Sequence, residues 1–169
     1  LSVSFNIISI LTGTGYATEN FSGWGQFPLV YFIILMFIGG CAGSTTCGIK
    51  IFRVQILYQF LSNQLKKIIY PRGIFKIKYQ NNNVDEKFMD SIISFIFLYI
   101  LIFFVVTALL SLDGLNFITA ISAAATSISN VGPGLGDIIG PNGSFSSLSN
   151  FSKWVLSGAM ILGRLELFA

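Results

Sequence analysis

Apolar runs broken by short glycine- and hydroxyl-rich stretches make up nearly the whole of this 169-residue chain. Residues 1–11 (LSVSFNIISIL) are apolar, but as a helix they would reach only ~16 Å, about half the thickness of a bilayer's hydrocarbon. They run into Thr12, Gly13, Thr14, Gly15 and Tyr16, then a polar loop carrying Glu19, Asn20, Ser22 and Trp24. From residue 27 a span begins (FPLVYFIILMFI), and after residues 39–48 an amphipathic basic helix is expected to about Leu61. Residues 64–87 read as a connection, with Pro71 and Gly73 as punctuation and residues 81–83 as a loop tip. Residues 91–112 form an uninterrupted apolar run with no charge before Asp113, expected to face lipid. A second short segment, 116–128, is too polar and too short for that, and it ends in SNVGPGLG at residues 129–136. A last span starts at residue 151.

The stretch at residues 39–50 (GGCAGSTTCGIK) interrupts what would otherwise be one very long apolar segment. Backbone freed from helical bonding is not tolerated against lipid, only where it lines a watery path or is buried in protein. Gly39, Gly40, Gly43, Ser44, Thr45, Thr46 and Gly48 are therefore expected to form an intramembrane gate. The competing reading is a close helix crossing, because small residues also let helices approach.

Composition makes this an integral membrane protein. The chain is 53% hydrophobic and 10% charged, with a mean hydropathy of +0.76. It starts at Leu1 with no basic segment before an apolar run, and it stops at Ala169 inside one, so both ends read as cut and the C-terminal part of a longer protein is expected. Eight of the ten Lys and Arg residues lie between Lys50 and Lys87, which places residues 62–88 in the cytoplasm and the two glycine-rich loops outside. A basic loop between two spans does not suggest a nucleic-acid partner. Cys41 and Cys47, with no His in the chain, make neither a zinc site nor a disulfide framework and read as packing residues.

The order pore loop, span, linker, span, pore loop, span is an internal repeat. Aligning Gly15 with Gly132 puts Thr12 on Ser129, Gly13 on Asn130 and Thr14 on Val131. Residues 36–39 (MFIG) match 160–163 (MILG), which sets Gly40 against Arg164. Two half-length helices, each followed by an extended glycine-containing strand, suit a cation filter. Backbone carbonyls replace the ion's water, glycine supplies conformations an L-residue resists, and the helix C-terminus favours positive charge. Arg164, a guanidinium in an apolar span, should face protein or a watery path; the alternative is snorkelling to the cytoplasmic interface.

TGTGYATENF, FIGGCAGSTTCGIKIFR, ISNVGPGLG and MILGRLELF resemble the last two repeats of the TrkH/KtrB family of potassium transporters, over nearly the whole chain. The resemblance implies an all-α integral membrane fold of span–pore-loop–span repeats with re-entrant pore helices and one broken transmembrane helix. It assigns residues 1–61 to the pore loop and broken second span of repeat three, 62–87 to a cytoplasmic linker, and 88–169 to repeat four with a truncated last span. It also implies K⁺ bound by backbone carbonyls around Gly13, Thr14, Asn130 and Val131, with the interrupted helix as gate and Arg164 facing it. A multi-pass protein of the bacterial inner membrane is implied, assembled as a homodimer on a cytoplasmic ring of nucleotide-binding regulatory subunits of the TrkA/KtrA type. Gly13 stands where Thr is expected, which loosens the backbone and leaves Na⁺ permeation open.

A secondary carrier with a broken-helix site is the alternative, although carriers place binding groups at the midplane rather than in two outer filters. No His, intramembrane carboxylate pair or nucleophile–base pattern points to an enzyme.

Overall fold

The computed structural model describes residues 1–41, 43–44, 46–73, 75–79 and 82–165. Six helices carry it: α1 (Ser2–Leu11), α2 (Gln26–Phe37), α3 (Ile51–Ile69), α4 (Glu86–Leu112), α5 (Phe117–Ser129) and α6 (Asn150–Leu165). The strands β1 (Lys78–Tyr79) and β2 (Asn82–Asn83) pair antiparallel between α3 and α4. Of the described helices, one stretch, Lys87–Leu112, is long and apolar enough to cross a membrane by itself, while α1, α2 and α5 are apolar but shorter.

Helix ends follow local chemistry. Pro28 falls in the first turn of α2, where its missing N–H breaks no helical bond. The helix stops where Ile38 turns extended (ψ 108°) ahead of Gly39 and Gly40. At the far end of α3, Tyr70 leaves the helical region (φ −123°, ψ 80°) because Pro71 follows it. Lys66 and Lys67 in that last turn suit the negative end of the helix.

Helix α5 is the centre. Ten of its residues, from Thr119 to Ser129, are buried, and Ala120, Ala123, Ala124 and Ala125 let neighbouring helices approach closely. One side packs with Phe95, Tyr99, Val106 and Leu110 of α4 and Leu156 and Ala159 of α6. The other joins Ile10 of α1, Phe32, Leu35 and Met36 of α2, and Phe21, whose ring stacks on Phe32 at 4.6 Å. The loop between α5 and α6 is packed too: Ile139 and Leu148 belong to the α4–α6 core.

Three expectations are corrected. α3 runs to Ile69, not Leu61, because a basic amphipathic helix needs no hydrocarbon to continue and Pro71 is what ends it. α4 starts at Glu86, so the connecting segment is shorter than residues 62–87 and holds the small hairpin. The apolar run of α4 does not face lipid all round: Ile92, Phe95, Tyr99, Val106 and Leu110 form a buried stripe, while Phe97 and Phe104 are exposed.

Candidate functional site

Both short helices that precede the expected filter loops end in the same cap. Gly13 N–H donates to Ile10 O (3.1 Å) and Thr14 N–H to Ser9 O (3.0 Å). In the second copy Asn130 N–H donates to Ser127 O (3.2 Å) and Val131 N–H to Thr126 O (3.1 Å). These are paired Schellman bonds, which require a left-handed residue just past the helix, a position for Gly or Asn. Gly13 has φ +69° and Asn130 φ +50°. Gly13 thus stands where a Thr would be strained, and its presence follows from helix termination. The expectation that it merely loosens the backbone gives way to this.

Two residues on, Gly15 (φ +73°) and Gly132 (φ +121°) take the left-handed region again. The loops touch there: a Cβ on Gly15 would run into the Val131 carbonyl oxygen and come within 3.1 Å of Pro133 Cδ. Hydroxyls brace both loops. Thr12 Oγ1 donates to Ile8 O (2.7 Å), and Thr14 Oγ1 donates to Ser9 O (3.2 Å). Thr126 Oγ1 accepts from Gly132 N (3.0 Å), and Ser122 Oγ accepts from Leu135 N (3.0 Å) while donating to Leu135 O (3.2 Å). Ser129 turns away from the loop and pairs with Tyr99 of α4 (Oγ to OH 2.8 Å), and Val131 puts its side chain into the core. Ser22 Oγ, in the loop between α1 and α2, accepts from Gly136 N (3.2 Å) and ties that loop to the one following α5. Ser9 and Thr126, absent from the candidates drawn from sequence, occupy equivalent places in the repeat alignment; that alignment is the signal that would have found them.

Below the loops, α2 and α3 are separated by residues 38–50. Its ends are pinned side by side: Gly39 N–H donates to Ile49 O (2.9 Å), Ile49 N–H to Phe37 O (2.8 Å) and Ile51 N–H to Gly40 O (3.2 Å). Within it Thr46 Oγ1 accepts from Gly40 N (2.8 Å) and contacts Ser44 Oγ, and Ser44 N–H donates to Cys41 O (3.0 Å). Gly39 packs where a Cβ would lie 2.6 Å from the Cys47 carbonyl, Gly48 has φ +90°, and Gly43 has open space around it. Hydroxyls thus replace the helical partners this backbone has given up. Thr45 lies outside the described residues.

The loops and the interrupted stretch meet around one cavity of about 210 Å³, lined by Thr12, Gly13, Thr14, Thr46, Cys47, Asn130 and Arg164. That is room for a cation with a few waters, each about 30 Å³. Arg164 Nη1 donates to Cys47 Sγ (3.5 Å), so Cys47 is more than a packing residue. Asn130 Nδ2 donates to Met160 O (3.0 Å) on the same helix as Arg164. Gly163 presses on α5, where a Cβ would overlap the Ile128 carbonyl, and this fixes the rotation of α6 that presents the next residue. The C-termini of α1 and α5 approach the cavity with no basic residue in either last turn, and among the described residues Arg164 is the single charged side chain in its lining.

The geometry has relatives. The TrkH family profile, described as a cation transport protein, matches residues 1–169. The chain is 44% identical over 165 residues to the Trk system potassium uptake protein TrkI of Halomonas elongata, covering 98% of this chain and 34% of that protein. It is 32% identical to the Trk system potassium uptake protein TrkH of Escherichia coli K12, covering 97% of this chain and 33% of the other. The crystal structure of the potassium transporter TrkH from Vibrio parahaemolyticus superposes with a TM-score of 0.90 at 35% identity, covering 99% of this chain and 35% of that one. The chain thus spans about a third of the length of the relatives it matches. On both sequence and fold, the chain belongs to the TrkH family of cation transport proteins.

Proposed function

We propose that this chain supplies two of the filter loops and the gate of a pore for potassium uptake. The observation that carries the reading is the cavity bounded by Gly13, Thr14 and Asn130 on one side and by Thr46, Cys47 and Arg164 on the other. A dehydrated cation would be held by backbone carbonyls of residues 12–15 and 129–132, where Gly13, Gly15, Asn130 and Gly132 take left-handed conformations. Neither loop carries an acidic residue between positions 12 and 15 or 129 and 132, so a monovalent ion suits it better than a divalent one. Residues 39–48 would plug the path below, and the Arg164 guanidinium would oppose cation passage from beside the plug.

The names of the relatives support K⁺ as the ion. The proposal extends to a multi-pass protein of the bacterial inner membrane, a homodimer seated on a ring of nucleotide-binding regulatory subunits. The test is Rb⁺ uptake by the full-length protein in a bacterial strain lacking its own K⁺ uptake, with Na⁺ and amino acids as competitors. Saturable uptake blocked by K⁺ supports the reading; equal competition by Na⁺ would make it a Na⁺-permeable pore, and competition by an amino acid a carrier.

A further inference from the structure

A charged recess lies away from the proposed ion path, at the other end of α3. A cavity of about 510 Å³ opens between α3, the segment preceding β1, and the first turns of α4. Its polar wall is formed by Asn63, Gln64, Lys67, Lys76 and Asp90. Its floor is apolar, with Met89 and Ile93 of α4. The recess sits where the apolar stretch Lys87–Leu112 begins, among the basic residues between Lys66 and Lys87, a level that would lie at the membrane–water boundary once that stretch spans a bilayer.

We propose that this recess holds one anionic phospholipid with hydroxyls in its headgroup, of the phosphatidylglycerol type. Lys67 and Lys76 present ammonium groups to a phosphate. Asp90, Asn63 and Gln64 offer acceptors to headgroup hydroxyls. Residues 64–87 carry six basic side chains against Asp85 and Glu86, a net charge of +4 that concentrates anionic lipid at this level. The acyl chains have a track: Ile93, Phe97, Ile100 and Phe104 fall within about 60° on one face of α4, and all four are exposed, Phe97 by 65% and Phe104 by 62%. A recess whose polar half continues into a helical apolar stripe at the membrane boundary has the shape of an amphiphile. A soluble anion would use only the first half.

The proposal rests on membrane embedding and not on which ion crosses, so its test reads lipid and not flux. The full-length protein is reconstituted with equal phosphatidylglycerol and phosphatidylcholine, extracted into mild detergent, and the retained lipid counted by native mass spectrometry. One phosphatidylglycerol per chain should survive. Each lysine near an anionic surface contributes about fivefold in affinity, so Lys67→Gln with Lys76→Gln should lower retention by roughly 25-fold. The double Lys→Arg variant should retain the lipid, and Lys153→Gln, on the opposite side, should change nothing. Unchanged retention in the Gln variant, or equal retention of phosphatidylcholine, overturns the proposal. Displacement of the lipid by millimolar inorganic phosphate would make this a soluble-anion site. Loss of regulatory-subunit binding with lipid retention intact would make it a protein-docking surface; either result also overturns it. A Gln variant that melts early is decided by the Arg variant, which keeps the charge: loss of lipid there overturns the proposal as well.

Discussion

Replacing Gly15 by Ala tests the filter with one methyl group. At φ +73° an L-residue is disfavoured by about 1–2 kcal/mol. The added Cβ would also meet the Val131 carbonyl oxygen, with Pro133 Cδ 3.1 Å away. Relieving such an overlap costs about 1–3 kcal/mol. The sum, about 2–5 kcal/mol, is smaller than or comparable to the stability of an ordinary domain. The variant should therefore reach the membrane, with its Val131 carbonyl pushed aside. Gly25 is the control: its φ is +111°, yet a Cβ there meets nothing within 4 Å, so Gly25→Ala carries strain without collision. Gly132→Ser is intermediate, with φ +121° and the nearest atom, Gly15 Cα, at 3.7 Å. Rb⁺ uptake and its competition by Na⁺, normalised to folded protein by fluorescence-detected gel filtration, should rank Gly15→Ala worst, Gly132→Ser next and Gly25→Ala near unmodified. Normal K⁺ over Na⁺ discrimination in Gly15→Ala at full abundance would refute the filter reasoning.

Four further outcomes are expected. Shortening residues 41–46 while keeping the Gly39–Ile49 and Ile49–Phe37 backbone bonds should raise flux per folded protein and weaken dependence on any regulatory subunit; a destabilised protein with no flux gain would favour a plain helix crossing. Arg164→Ala should raise K⁺ flux and Arg164→Lys should fall between, because the charge stays and the bond to Cys47 is lost; a well-folded Arg164→Ala conducting at the unmodified rate would rule out the barrier role. Tyr99→Phe and Ser129→Ala should each destabilise by about 1–3 kcal/mol, since each leaves a buried hydroxyl without its partner, and the double variant should cost less than the sum in thermal melts. The hydroxyls of Ser149 and Ser152 hold the Asp113 carboxyl below the ordinary carboxylate range. A depressed folded pKa means its stabilisation is complete above the unfolded value of about 3.9 and fades as pH falls through the folded one. Asp113→Asn should thus melt earlier than the parent at pH 7, with the gap closing in acid.

The sequence alone determined what depends on short-range chemistry. Apolar runs located all six helices because each element must match its own solvent. The two loops were legible because a left-handed backbone position leaves a compositional trace. Gly13 aligns with Asn130 and Gly15 with Gly132 from the sequence alone, and the structure gives Gly13 and Asn130 equivalent caps and all four a positive φ. The interval between α2 and α3 stands out in the sequence for the same reason, since non-helical backbone beside apolar helices calls for glycine and hydroxyls.

Tertiary structure decided which faces meet. The run at 91–112 carries no charged residue to mark a buried side, so only packing, on α5 for Phe95, Tyr99, Val106 and Leu110 and on Ile56 of α3 for Ile92, shows which residues point inward. The Tyr99–Ser129 bond, the Ser22–Gly136 tie and the Arg164–Cys47 contact join residues 30, 114 and 117 positions apart. No local propensity encodes such pairs. They form because α5, small and buried on nearly every side, draws α2, α4 and α6 around it, and the cavity is the space left between the C-terminal ends of α1 and α5, the stretch before α3, and Arg164 of α6.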